Sequence, residues 1–457
     1  MKKIKNLILG GGLSGISCSY HLGHAQCLVL EEKPELWGLL ATRQRNGFTW
    51  DNGPHVSFTK QEYVRELFEN NTNGRFSQMK ANVGNWFHGH WIRHPAQVNL
   101  FQAPADVRAR CVKSFLQGQE STNANIHPAN YQQWLNASLG EEFATIFSTP
   151  YTQKYWTVPP HKMSCDWVGG RVHRPRPEDV LAGSRGETNK DFHYVQEIRY
   201  PIAGGYKTFV EQLAEGINAR LNSKVVSIDL KSKTVLTENG SIFAYERLIS
   251  TIPLPDFVQC CEHASPEMKA AAAALLCTSA VLVEFELPDA EKRPEHWLYV
   301  YDSDKFATRI NWTEKLSPNN APKDLKGVQV EVYYSREFPL TVSDGCLAQR
   351  VEGELVAMGI IEKRGLSKKQ VNITKIPYAN VVFLANTATQ LEIIWRGFEA
   401  YGLQREVGDV HPLSDWSRGP SAAADAPLIM AGRFGQWKYF WTDDCIMRGR
   451  QLAIVPH

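Results

Sequence analysis

The N-terminal stretch, residues 3–51, constrains the fold of this chain more than any other. An apolar run at residues 4–9 leads directly into a glycine-rich turn at residues 10–15, which opens a segment with the pattern of a helix. A second apolar run, at residues 27–30, ends on two acidic side chains. The order of strand, glycine turn, helix, strand and acid predicts a βαβ unit that binds a dinucleotide.

Each glycine of the turn has its own role in such a unit. Gly10 permits the tight turn, Gly12 lets the backbone approach a pyrophosphate, and Gly15 lets the helix pack close to the strand. Leu13 and Ser14 lie at the helix N-terminus, where free backbone N–H groups bind phosphate. A glycine motif alone is often only a flexible turn, but the strand and helix around this one supply the context that the motif requires.

The acids after the second strand complete the predicted site. A carboxylate at this position can accept both hydrogen bonds of a ribose. We predict that Glu31 has this role, with Glu32 as the alternative, because a shift of the strand end by one residue would exchange them.

Composition excludes several classes of function. The 457 residues suffice for two or three domains, and the net charge of +2 argues against a nucleic-acid surface. The nine cysteines are odd in number and show no C-x-x-C spacing, so free thiols in a reducing cytoplasm are expected rather than disulfides or a metal site. No secretion signal is expected before the first strand, and the longest apolar run, residues 270–283, is too short for a membrane span.

Two loops after the βαβ unit are predicted to extend the cofactor site. The first, at residues 38–43, contains Ala41 and Thr42, and the second is the turn Gly53-Pro54-His55 behind a short hairpin. A cofactor of two nucleotides, such as FAD, needs small residues close to its isoalloxazine ring, and the second turn suits this role. An ordinary hairpin turn is the alternative.

Further along the chain, the pattern predicts a second sheet and a few elements of other kinds. Residues 208–221 are predicted as a helix, and the apolar segment 247–253 as a buried strand that returns to the first sheet. Residues 150–177, rich in Trp, Tyr, Pro and Gly, are expected to line a cleft rather than form a simple helix, with a packed interdomain core as the alternative. Residues 405–427 are expected to form a surface loop. Alternating strands that indicate a separate substrate sheet lie at residues 281–287, 297–301, 307–312 and 328–334.

The predicted fold class is α/β. It comprises a Rossmann-type domain for a two-nucleotide cofactor (FAD), a helical insertion and a mixed substrate-binding sheet. The predicted division is 1–80 and 201–260 for the two parts of the FAD-binding domain, 81–200 for the helical insertion with substrate contacts, 261–400 for the substrate-domain sheet and helices, and 401–457 for a loop and the closing FAD-binding part.

Several segments spread along the chain resemble a known family. With the glycine turns and the returning strand, they are similar to the FAD-binding fold shared by amine oxidases, protoporphyrinogen oxidase and UDP-galactopyranose mutase, and most similar to the longer, eukaryotic-type mutase family. The segments are residues 149–159, 163–172, Tyr200-Pro201 with Gly204-Gly205, residues 297–299, and residues 432–439.

The resemblance implies a reaction without net redox change. Members of the mutase family convert the pyranose and furanose forms of a nucleotide-linked sugar through an adduct of the sugar with flavin N5, and their FAD must be reduced. It also implies work on polysaccharide or glycan precursors in the cytoplasm. NAD(P)H is a possible reductant, although the sequence contains no second glycine motif for it.

The resemblance also assigns roles to individual residues. Its implied catalytic residues are His55 at the flavin edge, Arg171, and the diphosphate-binding Arg309 and Arg433. Its implied substrate-binding residues are Gln97, Trp156, Trp297, Tyr299 and Tyr439. To the cofactor site it adds Val226, Gly432, Arg433, Tyr439 and Asp444.

This chain departs from the family's pattern at several positions. The departures are Leu39 for a glycine, His94 and Ala96 for a tyrosine and a phenylalanine near the uracil, Asn380 for a phosphate-binding tyrosine, and Asp443-Asp444 for two amides. These departures leave open which base and which sugar a nucleotide-sugar substrate would contain. The alternative hypotheses are therefore an FAD-dependent oxidase of the amine oxidase or protoporphyrinogen oxidase type, and a flavin-bearing protein without catalysis.

Overall fold

Two seven-stranded β-sheets with helices packed around them build the protein. The computed structural model describes residues 3–121, 128–188, 190–192, 195–288, 293–362, 370–418 and 421–454. The strands are β1 Ile4–Leu9, β2 Cys27–Leu30, β3 Thr42–Arg45, β4 Phe48–Asp51, β5 Phe76–Lys80, β6 Val83–Phe87, β7 His90–Arg93, β8 Glu197–Pro201, β9 Ala219–Arg220, β10 Val225–Asp229, β11 Thr234–Thr237, β12 Ile242–Ser250, β13 Leu276–Pro288, β14 Trp297–Val300, β15 Arg309–Trp312, β16 Leu325–Tyr334, β17 Val371–Val382 and β18 Leu428–Met430.

Helices connect many of these strands along the chain. They are α1 Leu13–Leu22, α2 Glu62–Thr72, α3 Ala105–Ser121, α4 Tyr131–Leu139, α5 Glu141–Phe143, α6 Thr149–Trp156, α7 Pro177–Arg185, α8 Leu254–Cys260, α9 Pro266–Ala274, α10 Thr313–Leu316, α11 Asp344–Ala357, α12 Thr387–Glu399, α13 Gly432–Gly435 and α14 Thr442–Ala453. A π-helical stretch, Ala144–Ser148, joins α5 to α6. Among the residues described, no helix is both long and apolar enough to cross a membrane.

The first sheet has a parallel core that holds the N-terminal unit. Strand β1 pairs in parallel with β2 on one side and with β12 on the other, and β18 and β9 continue the parallel core. Leu7, Ile8 and Leu9 of β1 are fully buried, as expected for a strand covered on both faces. The predicted return of the strand near residues 247–253 to the first sheet is confirmed by the β1–β12 pairing.

The second sheet is mixed, as predicted. Its order is β17-β13-β16-β15-β14-β6-β7, and all neighbours are antiparallel except β14 and β6. Alternate residues of each strand face opposite sides. Val281 and Val283 of β13 belong to a core that also contains Val351 of α11, while Ala280 and Leu282 face a large cavity between the sheets.

The predicted helix at residues 208–221 is wrong. The structure has two short 3₁₀ turns, Tyr206–Phe209 and Glu211–Ala214, and then β9, which pairs with β2 at the sheet edge. The short turns already bury Phe209 and Leu213, and Gly216 follows them with a φ of +78°, a left-handed conformation that ends any helix. The apolar spacing of this segment is therefore produced by turns rather than by a helix.

The expectation that residues 150–177 line a cleft is confirmed, since Tyr151, Trp156 and Arg171 line a cavity, but the expectation that they form no simple helix is wrong. Residues 149–156 form the helix α6, with Pro150 in the first turn, where its missing N–H is tolerated. In the segment 405–427, Ala423 and Ala426 pack into the core with Ile8 and Val29, so this part is not a surface loop. Residues 419 and 420 of that segment lie outside the described residues.

Lys154 anchors helix α6 to the second sheet. Its Nζ donates hydrogen bonds to the carbonyl oxygens of Val300 (3.0 Å), Asp302 (2.8 Å) and Ala307 (2.7 Å). Burial lowers the pKa of this amine to about 7, and the nearby Glu354 carboxylate opposes the shift. The anchor holds α6 against the strands that end beside it.

Replacing Lys154 with methionine tests this anchor. Three buried carbonyl oxygens would lose this donor, of which only that of Asp302 keeps another among the described residues, the N–H of Lys305 at 3.4 Å. An oxygen left unpartnered costs roughly 1 kcal/mol or more, so we expect a loss of about 2 kcal/mol in stability, seen as a lower midpoint of thermal unfolding in calorimetry. Lys113→Met, at an exposed position of α3, should change little. Equal midpoints for the two variants would contradict the anchor.

Candidate cofactor and substrate site

A cavity of about 840 Å³ lies between the two sheets. The carboxyl ends of β1, β2 and β12 open into it, and the inward-facing side chains of the second sheet form its opposite wall. Ligands of α/β proteins bind at this end of parallel strands, and the volume is within the range of small-molecule sites. The cavity is therefore the candidate cofactor site.

Two glycines of the turn at the end of β1, Gly10 and Gly15, are packed so tightly that side chains are excluded, whereas Gly12 has only Gly38 nearby, at 3.8 Å from a Cβ built on it. Gly10 has a φ of +96°, and a Cβ on Gly15 would lie 2.0 Å from the carbonyl oxygen of Gly10. Gly12, Leu13 and Ser14 line the cavity at the N-terminus of α1. The backbone here can approach a pyrophosphate closely, which is the arrangement that a dinucleotide needs.

The two candidate acids differ in their surroundings. Glu31 is buried, and its carboxylate accepts hydrogen bonds from the backbone N–H groups of Gly11 (2.6 Å) and Lys33 (2.9 Å). Glu32 is exposed, although both acids line the cavity. Glu31 is thus the carboxylate whose orientation is fixed before a ligand binds.

Some predicted cofactor residues support the cavity rather than line it. Thr42 donates a hydrogen bond to Asp51 (2.7 Å) in the β3–β4 hairpin, and Ala41 precedes that hairpin. Gly432 has no room for a side chain, since its Cβ would lie 2.3 Å from the Ser14 hydroxyl oxygen. Gly53 likewise needs its φ of +85°, and it places Pro54 and His55 on the cavity wall.

Val226 does not line the cavity, and its neighbour does. The Val226 side chain is 41% exposed, whereas Val225 is part of the cavity wall. Adjacent residues of a strand face opposite sides, so with Val225 on the cavity wall the side chain of Val226 faces away from it. The position that the resemblance implies is therefore wrong by one residue.

Asp443 and Asp444 lie at the N-terminus of α14, beside the cavity. Asp443 lines the cavity and accepts a hydrogen bond from Thr59 (2.5 Å). Asp444 does not line it, but caps the helix by accepting from the Trp441 N–H (2.7 Å) and from the Trp416 indole (2.6 Å). Burial, and next the charge of Asp443, raise the pKa of Asp444 to about 6.

Three arginines converge on Tyr439 at the far end of the cavity. The Arg171 guanidinium stacks over the rings of Tyr439 (4.5 Å) and Trp441 (4.4 Å). Arg433 donates to the carbonyl oxygen of Phe440 (2.7 Å). Burial raises the pKa of the Tyr439 hydroxyl, and the charges of Arg171, Arg433 and Arg309 all oppose that shift. Arg309 and Arg433 line the larger cavity together with Tyr439, and Arg171 lines an adjoining cavity together with Arg309 and Tyr439.

Arg309 is held by a partner that the sequence analysis did not name. Its Nε and Nη2 donate to the carboxylate of Glu331 at 2.7 to 3.0 Å. Glu331 also accepts a hydrogen bond from Tyr333 (2.5 Å), and both residues line the cavity. We call the group Arg171, Arg309, Arg433, Tyr299, Tyr439 and Glu331 the arginine wall.

A signal for this partner is present in the sequence. Residues 328–334 alternate as a strand does, and Glu331 is the one acid among otherwise apolar or aromatic side chains from Val330 to Tyr334. An acid on the same strand face as Tyr333 predicts that this face contacts a polar or charged group. Its pairing with Arg309 depends on the register of two strands, which the sequence does not state.

His55 is uncharged at neutral pH. Its Nδ1 is 3.1 Å from the carbonyl oxygen of Gly53, within hydrogen-bond distance. Burial, helped by the charges of Arg433 and Arg309, lowers the pKa of His55 to about 4, and the contact with Gly53 opposes the shift. The imidazole can therefore exchange hydrogen bonds with a ligand without adding charge.

A second cavity, of about 190 Å³, adjoins the first. Tyr155, Tyr299, Arg309 and Tyr439 line both cavities, so the arginine wall separates them. Two predicted substrate-binding residues, Gln97 and Trp156, line the smaller cavity, whereas a third, Trp297, lines the larger.

The positions that depart from the resembling family lie in different places. His94 lines the smaller cavity, with its Nδ1 3.0 Å from the Asn85 side-chain oxygen, while Ala96 is fully buried in the core and lines neither cavity. Leu39 and Asn380 line the larger cavity. The Nδ2 of Asn380 is buried and has no hydrogen-bond partner among the described residues, so it remains available to a ligand.

The larger cavity fits a dinucleotide cofactor. The N-terminus of α1, which no side chain caps, reaches its wall. Glu31 is oriented beside the glycine turn, and the unpartnered Asn380 amide lies on the wall that the second sheet forms. Free N–H groups at helix N-termini favour phosphate, and the oriented carboxylate favours a ribose. These features match the needs of FAD at its adenosine end.

Comparisons with known proteins agree with this geometry. The family model described as flavin containing amine oxidoreductase matches residues 13–363. A crystal structure of reduced UDP-galactopyranose mutase is similar over 99% of this chain and 95% of its own, with a TM-score of 0.86 and 21% identity. A putative protoporphyrinogen oxidase from Exiguobacterium sp. 255-15 is similar over 99% of this chain and 98% of its own, with a TM-score of 0.70 and 17% identity. At these identities the likeness shows the fold alone.

The acid pair predicts a pH dependence of stability. The pKa of Asp444 is raised in the folded state, so ionising it costs stability as the pH rises from about 4 to about 6, and the loss persists above. Asp443→Asn removes the neighbouring charge and keeps an acceptor for Thr59. We therefore expect this variant to gain stability relative to the native chain as the pH rises through this interval. The gain should reach about 1 kcal/mol and appear as a higher unfolding midpoint.

Melting curves between pH 4 and pH 8 measure this effect. Asp106→Asn is the matched control, because Asp106 is an exposed acid in the first turn of a different helix, α3. A difference between Asp443→Asn and the native chain that stays constant with pH would contradict the coupling of the two acids.

Proposed function

The chain belongs to the family of flavin containing amine oxidoreductases, and from this premise we propose that it is an FAD-dependent mutase-like enzyme. It interconverts the pyranose and furanose forms of a nucleotide-linked sugar. The likeness of its fold to a UDP-galactopyranose mutase supports the proposal, and the arginine wall is the observation that carries it.

The charge of the wall suits a diphosphate. Its three guanidinium groups less the one Glu331 carboxylate leave two positive charges, and His55 adds none at neutral pH. The diphosphate of a nucleotide sugar is a diester with two negative charges. Arginine and tyrosine donors form charge-assisted hydrogen bonds with such oxygens, and these strengthen as the diphosphate leaves the sugar.

The larger cavity would hold the flavin dinucleotide. Gly10, Gly12 and Glu31 suit its adenosine end, and the turn before His55 suits its ring. A reduced flavin supplies a nucleophilic ring nitrogen when bound. The residues of this chain then position the sugar at the wall between the cavities, and Arg309 and Arg433 neutralise the departing diphosphate.

Aromatic side chains packed beside Tyr439 of the arginine wall shield the sugar from water. Tyr155 lies with ring centroids 4.8 Å from Tyr333 and 5.0 Å from Trp156, and Trp156 lies 5.7 Å from Tyr439. Such packing leaves little space for water beside a reacting carbon. Side reactions with water are thereby suppressed, which a rearrangement without net hydrolysis requires.

One observation favours a second candidate, a flavin-dependent oxidase. Glu331 and the tyrosines Tyr155, Tyr299 and Tyr333 line the same cavity, and a carboxylate among aromatic rings attracts an amine cation. The pairing of Glu331 with Arg309 argues against this candidate, because it already balances the carboxylate.

On this proposal the enzyme works in the cytoplasm on polysaccharide or glycan precursors. A two-electron donor such as NAD(P)H keeps the flavin reduced between turnovers. Because the chain departs from the family's pattern at His94, Ala96 and Asn380, the preferred base and sugar must be identified by testing a panel of nucleotide sugars.

The assay uses the purified flavin-loaded protein, reduced with dithionite without oxygen. It is incubated with a panel of nucleotide sugars in both ring forms, and products are identified by NMR. We expect ring interconversion with the reduced enzyme and none with the oxidised one. Conversion of no nucleotide sugar, together with oxygen consumption on adding amines, would establish the oxidase instead.

A substitution in the wall tests its role in this assay. Arg171→Lys loses the planar stack on Tyr439 and Trp441, and we expect kcat/KM to fall about 100-fold or more, as for the loss of one transition-state donor. Arg396→Lys is the control, since Arg396 lies on the surface of α12 in a pair with Glu392. Equal rates for the two variants, with equal flavin content, would remove the arginine wall from the mechanism.

A further inference from the structure

We propose that Glu331 is a positioning residue that fixes one edge of Arg309 so that its other edge binds the anion. This inference rests on the proposed function for the identity of the anion, a diphosphate. It assigns a role to a buried carboxylate that lies among cations in a cavity, where a negative charge would otherwise only weaken anion binding.

The contact between the two side chains is extensive. Arg309 and Glu331 are direct partners in the β15–β16 pairing, and Nε lies 2.9 and 3.0 Å from the two carboxylate oxygens, with Nη2 2.7 Å from Oε1. No described residue accepts a hydrogen bond from the remaining nitrogen, Nη1. Because Arg309 lines both cavities, Nη1 is the edge left for a ligand.

The carboxylate is itself held from two further sides. The Tyr333 hydroxyl donates to Oε2 at 2.5 Å. Gly53 approaches so closely that a Cβ there would lie 2.8 Å from Oε1, so the backbone of the cavity turn closes the remaining space. Only 1% of the Glu331 side chain is exposed, against 20% of Arg309. Glu331 therefore has a single orientation, and it imposes one on Arg309.

Stability alone does not account for such a pair. Buried ion pairs are often no more stabilising than apolar side chains of the same size, because both charges lose their hydration. A guanidinium fixed before binding, by contrast, loses little conformational freedom when the anion arrives. An arginine side chain that is not held loses much of its rotamer entropy on binding, and preorganised donors are the ones that act most strongly on developing charge.

Positioning and charge predict opposite effects for Glu331→Gln. If Glu331 mainly supplied negative charge near the anion, its removal would strengthen anion binding. If Glu331 mainly orients Arg309, glutamine weakens binding, because its amide NH₂ cannot accept from the guanidinium. The sign of the change in affinity thus separates the two roles.

The test titrates inorganic pyrophosphate, and then UDP, into the flavin-loaded protein and follows tryptophan fluorescence. We expect Glu331→Gln to bind both about tenfold more weakly than the native chain, and Tyr333→Phe to be weaker by a smaller factor. Glu284→Gln is the matched control, since Glu284 is a buried acid of the same sheet, paired with Arg43 and outside both cavities. It should bind as the native chain does.

A second measurement addresses Arg309 directly. In ¹⁵N NMR of the arginine side chains, the Nε–H of Arg309 should exchange slowly with solvent in the native chain and in Glu284→Gln, and faster in Glu331→Gln. Tighter anion binding by Glu331→Gln, or unchanged exchange at Arg309, would overturn the positioning role while leaving the proposed function intact. A native chain that binds neither pyrophosphate nor UDP would overturn both.

Discussion

The close packing of helix α1 is the constraint on which the rest of the site depends. A side chain on Gly15 would collide with the Gly10 carbonyl, one on Gly432 with the Ser14 hydroxyl, and one on Gly449 with the Ser17 hydroxyl. These contacts press α1 against β1 on one side and bring the C-terminal segment against it on another. The N-termini of α1 and α14 consequently meet at one cavity, although more than 400 residues separate them in the chain.

The second sheet turns this cavity from a nucleotide site into a candidate reaction site. Its strands alternate between a core-facing set and a cavity-facing set, and the cavity-facing set supplies Tyr299, Arg309, Glu331 and Tyr333. The positive charge is limited in advance by Glu331 and by the neutral state of His55. The result is a wall with a defined charge between two cavities, in place of a diffuse basic surface.

The elements that sequence reasoning predicts correctly are those whose signals are local. The glycine turn, the returning strand and the alternation of residues 328–334 need only spacing and residue type. The failures have a different cause. Val226, which the resemblance implied at the cofactor, lies on the face of β10 opposite to the cavity-lining Val225. Gly216 prevents a helix at residues 208–221, and the Arg309–Glu331 pair depends on which strands become neighbours. Local pattern cannot supply a register or a neighbour that only the packed chain defines.

The most direct test of this account is a crystal structure of the flavin-loaded protein with UDP. The account predicts the flavin in the larger cavity and the diphosphate within hydrogen-bond distance, about 3.2 Å or less, of Arg171, Arg309 and Arg433. Arg309 should keep its pairing with Glu331 and present Nη1 to a phosphate oxygen. A diphosphate bound elsewhere, or one that displaces Glu331 from Arg309, would contradict it.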